Sequence, residues 1–141
     1  MSIRKALPSD DRAIGKLLKS LGYELSPYLM KKKLAALLSH PDAVVVVDFQ
    51  AGAVTAVLAV HFVPQLGREG DLALITYLAV DEKRHGQGIG KDLERYCVAL
   101  ARERKCPVIE LHCGEQRRGA HHFYARQGYS EYPKYFRKSV S

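Results

Sequence analysis

Apolar and polar positions change period several times along this chain, and each change marks an element. Residues 2 to 7 (SIRKAL) read as a short strand that Pro8 ends, and Ser9 can cap a helix with Asp10 and Asp11 in its first turn. Ala13, Ile14, Leu17, Leu18 and Leu21 then recur at helical spacing until Gly22 stops the run. Ser26-Pro27 opens a second helix, with proline in its first turn and an apolar side of Leu29, Met30, Leu34, Leu37 and Leu38. Residues 43 to 49 (AVVVVDF) are rich in β-branched side chains and read as a strand. The turn Gln50-Ala51-Gly52 leads into a second strand, 53 to 63, so the pair should form a hairpin. Residues 64 to 70 are a loop and 71 to 80 (DLALITYLAV) a long apolar strand. After a glycine-rich turn, Ile89, Leu93, Tyr96, Cys97, Leu100 and Ala101 mark one face of a helix. Residues 107 to 113 (PVIELHC) give another strand, 117 to 127 a helix capped by Gly128, and 129 to 137 a last strand.

The order is therefore β-α-α-β-β-β-α-β-α-β. That predicts a single α/β domain over 1–141, with a mixed sheet flanked by about four helices and connected partly by hairpins, partly by crossovers. A length of 141 residues suits one domain with a sizeable core. No repeat, low-complexity segment or long linker interrupts it.

Charge and cysteine narrow the chemistry. A formal net charge of +7 favours anionic partners such as nucleic acid, a membrane surface or a phosphorylated small molecule; it equally serves solubility alone. The basic clusters, Lys31-Lys32-Lys33, Arg117-Arg118 and Lys134 to Lys138, are short, unlike a tail that binds nucleic acid on charge alone. No helix-turn-helix pattern or aromatic-interleaved basic strand supports nucleic acid either. Three cysteines, Cys97, Cys106 and Cys113, without a CxxC pair, argue against a disulfide framework or a zinc site and fit a reducing compartment. The first residues lack an apolar signal core, and no run approaches the ~18 apolar residues that span a bilayer. The expectation is a cytoplasmic protein without metal.

The stretch RHGQGIGKDL (84 to 93) carries the strongest chemical signal. A strand, a glycine-rich turn and a helix start together expose N–H groups and the positive end of the helix dipole, which favour phosphate. Gly86, Gly88 and Gly90 would let backbone approach the oxygens, and Arg84, His85 and Lys91 add donors or charge. The dinucleotide fingerprint fails, because Leu93 stands where its third glycine belongs. The P-loop pattern fails at His85 and at Asp92.

LAVDEKRHGQGIGKDL (78 to 93) resembles motif A of the GCN5-related N-acetyltransferases, whose core is Q/R-x-x-G-x-G/A and here reads His85-Gly86-Gln87-Gly88-Ile89-Gly90. AHHFYARQGY (120 to 129) resembles the same family's late A-x-x-F-Y-x-x-x-G-F/Y segment. With the preceding strand order, the resemblance covers essentially the whole chain. It implies acetyl-coenzyme A as co-substrate and acetyl transfer to an amine through a tetrahedral intermediate. It implies pantetheine beside Leu78, Ala79 and Val80, and pyrophosphate on His85, Gly86, Gln87, Gly88, Ile89, Gly90 and Lys91. The Leu78 N–H would face the oxyanion, and Tyr124, a phenol with reference pKa near ~10, would protonate the leaving thiolate.

The sequence departs from the family at two places. His85 stands where Arg or Gln is usual. Thr76-Tyr77 occupies the place where many relatives carry a basic Glu near the end of the strand before the glycine loop, so the general base is open among Glu110, His112 and His61, or the amine loses its proton before binding. Arg117, where many relatives have Asn, is either a cofactor contact or part of a solvated helix start. His121 and His122 read as surface, and Cys113 as a small core residue. RRGAHHFYARQGYSEYPKYFRKSV resembles small-molecule N-acetyltransferases, including aminoalkylphosphonate and aminoglycoside acetylating types, more than histone enzymes. A small-molecule or peptide amine is thus the expected acceptor, bound by residues 23 to 38 and 62 to 71. A homodimer is an expectation at family level. A non-catalytic coenzyme A-binding module of the same fold is the alternative.

Overall fold

The computed structural model describes residues 2–112, 118–132 and 135–141. Its sheet has five strands in the order β1-β2-β3-β4-β5: β1 (Ile3–Lys5), β2 (Ala43–Gln50), β3 (Ala53–Val63), β4 (Leu72–Val80) and β5 (Val108–Glu110). The first four run antiparallel to one another, and β5 lies parallel to β4. The helices are α1 (Asp11–Lys19), α2 (Pro27–Leu38), α3 (Ile89–Glu103) and α4 (Arg118–Arg126).

Helices cover both faces of the sheet, so its central strands read as continuous apolar runs rather than as alternating ones. On one face Val45, Val47, Val57, Ala59 and Ala79 pack with Ile14 and Leu17 of α1 and Met30 and Leu34 of α2. On the other, Val46, Leu58, Val60, Phe62, Ala73 and Ile75 pack with Ile89, Leu93, Cys97 and Ala101 of α3. Burial pushes the Cys97 thiol up to about 12, so it packs as a small apolar group.

The helix stops follow local chemistry. Ser26 accepts the Leu29 N–H at 3.2 Å, with Pro27 in the first turn of α2 as expected. The start of α1 differs from expectation. Ser9 lies in a 3-10 turn (Pro8–Asp10), and the carboxylate of Asp10 closes that turn by accepting the Leu7 N–H at 2.7 Å. The ends of α1 and α4 carry the same pair of bonds. Tyr23 and Gly22 donate back to Leu18 and Lys19, and Tyr129 and Gly128 to Tyr124 and Ala125, the Schellman arrangement.

The last strand expected over 129 to 137 does not form among the described residues. Two of its aromatic side chains, Tyr132 and Phe136, have no face to bury and are both 91% exposed. β-propensity without a partner surface is not enough to make a strand.

Candidate active site

The site lies where β4 and β5 part. Among the described residues the two strands pair from Leu72–Val108 to Leu74–Glu110, while β4 continues to Val80. A β-bulge falls on this continuing half. Ala59 pairs with Tyr77 but Val60 pairs with Ile75, so Thr76 is an extra residue, held by its hydroxyl donating to the Ala59 carbonyl at 3.1 Å. The insertion shifts the side-chain phase. Ala73 and Ile75 face α3, and so do Leu78 and Val80, while Ala79 turns to the α1/α2 face. Tyr77 turns the same way, and its ring meets that of Tyr23 edge-on at 5.2 Å.

Hydrogen-bond phase opens the edge of β4. The Asp81 N–H donates to the Thr55 carbonyl at 2.8 Å. In an antiparallel ladder alternate residues then face the partner, so Ala79 and Tyr77 bond toward β3. Leu78 and Val80 direct their N–H and C=O groups into the fork. The Val80 carbonyl already has a partner there, because His85 Nε2 lies 3.1 Å from it. A carbonyl only accepts, so this ring nitrogen is the donor.

Side chains close the fork on several sides. Ile75, Thr76, Tyr77 and Leu78 supply one wall, and Leu111 and His112 beyond the end of β5 supply the other. Leu21 and Tyr23, after α1, and Tyr124 of α4 complete the lining. Tyr124 stands on the α3 side of the sheet, where its ring meets Tyr129 edge-on at 5.4 Å. Tyr129 in turn donates its hydroxyl to Glu94 of α3 at 2.9 Å. Burial, with the Glu94 carboxylate beside it, pushes the Tyr129 phenol well above its usual range, so it stays a donor.

The glycine loop joins β4 to α3. Gly86 and Gly88 both have φ of +82°, a conformation that side chains resist, and a Cβ on either would meet nothing within 4 Å. Gly90 differs: its Cβ would stand 3.3 Å from the Phe123 ring of α4. Gly88 caps α3 without a side chain, and the first helical bond runs from Asp92 N–H to the Gly88 carbonyl. The N–H groups of Ile89, Gly90 and Lys91 therefore have no acceptor within the helix and are presented at its positive end.

The family model described as "Acetyltransferase (GNAT) family" matches residues 12–129. The chain belongs to that family. This acetyltransferase is 27% identical over 139 residues to the aminoalkylphosphonate N-acetyltransferase of Salmonella typhimurium, covering 98% of this chain and 90% of the relative. A solved protein from Agrobacterium tumefaciens superposes with a TM-score of 0.88 at 26% identity, over 99% of each chain. Glucosamine-6-phosphate N-acetyltransferase from Arabidopsis thaliana shares the fold with a TM-score of 0.83 at 22% identity, over 99% of this chain and 98% of the other.

Of the residues singled out in the sequence, Leu78, Tyr124 and His112 share one cleft in this acetyltransferase. The other two candidate bases stand elsewhere. Glu110 lies 3.6 Å from the Arg68 guanidinium, and His61 packs against the His40 ring at 5.4 Å. Arg117 and Cys113 lie outside the described residues. His121 and His122 are on an exposed part of α4. Among the described residues no group of three or more His, Cys, Asp or Glu is placed to hold a metal ion, and no helix is long and apolar enough to cross a membrane. Glu94, the bulge residue Thr76 and the Gly90–Phe123 contact carry no sequence signal of their own.

Proposed function

We propose that this enzyme moves an acetyl group from acetyl-coenzyme A to the primary amine of a small molecule or peptide by direct transfer. The observation that carries this reading is the fork itself. Among the described residues it presents a strand edge at Leu78 to Val80 that β5 does not pair, next to a helix start whose first N–H groups have no acceptor within the helix.

The residues present fit acetyl-coenzyme A, which would supply an acyl group activated as a thioester. Ile89, Gly90 and Lys91 N–H groups suit its pyrophosphate, with Gly86 and Gly88 holding the turn and Gln87 between them. His85 contributes differently from the Arg or Gln of relatives: its ring donates to the Val80 carbonyl and ties the loop to β4. The Leu78 backbone and the Ala79–Val80 end of β4 suit the pantetheine arm, which can add to the edge as a strand does.

Within the fork the Leu78 N–H donates to the acyl oxygen as negative charge builds there. As the new C–N bond forms and the C–S bond breaks, Tyr124 gives its hydroxyl proton to the sulfur. The Tyr129–Glu94 pair braces the Tyr124 ring from α3. The acceptor comes from the α1/α2 face, where Tyr23 and Tyr77 form an aromatic wall. The small-amine class is supported by the aminoalkylphosphonate N-acetyltransferase, of which 90% is matched by this chain.

Release of free thiol from acetyl-coenzyme A across a panel of amines tests the reading, with Tyr124→Phe as control. Turnover is expected on at least one small amine, with kcat reduced by about 10²-fold or more in Tyr124→Phe. Tight coenzyme A binding without turnover on any amine would support the non-catalytic module instead. Undetectable coenzyme A binding would remove both.

A further inference from the structure

We infer that His112 is the general base of the transfer and that Tyr135, from the C-terminal segment, holds its ring in place. This inference rests on the acetyl-transfer reading above. The neighbourhood where many members of the family carry a Glu is filled here by Thr76 and Tyr77. The Thr76 hydroxyl is committed to the Ala59 carbonyl at 3.1 Å. Another group lining the fork is then the candidate acceptor for the amine's proton. Its titratable lining, among the described residues, is Tyr23 beyond α1, Tyr77 of β4, Tyr124 of α4 and His112. Of these side-chain types only imidazole accepts a proton readily near neutral pH.

The placement of His112 suits that task. Ile109 and Leu111 pack with the α3-side core. Alternation along β5 and its extension then puts Glu110 and His112 on the opposite face. That is the face of Tyr77 and Tyr23, from which the acceptor approaches. Tyr124 reaches the same cleft from the α3/α4 side. Base and acid thus flank the reacting carbon from opposite faces of the sheet: the amine nitrogen loses its proton to the imidazole on one, and the sulfur gains the phenol's proton on the other. Glu110, on the His112 face, lies 3.6 Å from the Arg68 guanidinium.

Tyr135 packs its ring against His112 with centroids 4.3 Å apart and planes inclined by 40°. The contact gives the imidazole a ring to pack against. Tyr135 is 59% exposed and meets His112 with its ring, so its part is positioning rather than chemistry.

The experiment measures kcat/KM against pH for wild type, His112→Gln, Tyr135→Ala and Tyr135→Phe, on primary amines of graded basicity. His112→Gln is expected to lower kcat/KM by about 10²-fold for strongly basic amines and to lose the acidic limb of the wild-type profile. The loss should shrink for weakly basic amines, which arrive already neutral, and the KM for acetyl-coenzyme A should hold. Tyr135→Ala should reproduce a smaller part of the loss and Tyr135→Phe should restore it, since the ring and not the hydroxyl makes the contact. His112 is exposed, so its variant should melt with the wild type. His112→Gln with wild-type rates and pH profile on every amine would overturn the inference while leaving acetyl transfer intact. A wild-type enzyme that turns over no amine would overturn both.

Discussion

Gly88 and Gly90 stand two positions apart in one loop, yet different forces require glycine at each. At Gly88 the backbone is left-handed, with φ of +82° and open space around it. Gly88→Ala should cost about 1–2 kcal/mol through conformation alone and should tilt the N–H groups that follow, raising the acetyl-coenzyme A dissociation constant. At Gly90 the backbone is ordinary helix, and the constraint is the Phe123 ring 3.3 Å from a would-be Cβ. Gly90→Ala should cost about 1–3 kcal/mol by overpacking, and trimming Phe123 in the same chain should recover part of it. Urea denaturation of Gly88→Ala and Gly90→Ala, each alone and combined with Phe123→Leu, and of Phe123→Leu itself separates these effects. Equal recovery of both glycine variants by the Phe123 change would contradict the distinction.

Among the elements, the tie between β1 and the start of α1 has a pH signature. Asp10, itself buried, accepts two hydrogen bonds from the Arg4 guanidinium, at 2.8 and 3.1 Å, and one from the Leu7 N–H. The Arg4 hydrogen bonds, more than the Leu7 N–H, hold its carboxyl below the usual carboxylate range despite opposing burial. A depressed folded pKa stabilises the native state above the unfolded value of ~3.9, and that stability is lost as pH falls through the folded value. Asp10→Asn should therefore lower stability by about 1–2 kcal/mol at neutral pH, with the gap to wild type closing below pH ~4. Thermal melts from pH 3 to 7 would read it, and a gap that stayed constant across that range would count against the ion pair. Element boundaries were largely legible, because proline, glycine and the serine cap punctuate apolar runs: β3 spans 53 to 63 as the pattern predicts. The bulge at Thr76 was not. LALITYLAV is apolar on both faces, so a phase shift leaves no trace in it, and only pairing against β3 reveals the extra residue. Glu94 was hidden for a related reason. It interrupts an apolar helix face, and the partner that allows its burial, Tyr129, comes 35 residues later.

For the whole molecule, the fork divides a long antiparallel sheet from a β5–α4 unit that, among the described residues, pairs with it at three residue positions. The glycine loop was readable as an anion site from its own residues, whereas the cleft is assembled from segments as distant as Leu21 and Tyr124. Its shape follows from register and packing rather than from local pattern. A binding experiment on the intact chain tests this division. In the free protein, amide exchange along β4 should alternate: Ala79, bonded toward β3, slow, and Leu78 and Val80, turned into the fork, fast. Saturating coenzyme A should slow Leu78, Val80 and the Ile89–Lys91 amides together, because one ligand would satisfy the strand edge and the helix start at once. The core amides of Val46 and Val57, already protected, should not change. Protection confined to Ile89–Lys91 would leave the pyrophosphate cradle in place but remove β4 as the pantetheine track, and with it the Leu78 N–H as the oxyanion donor.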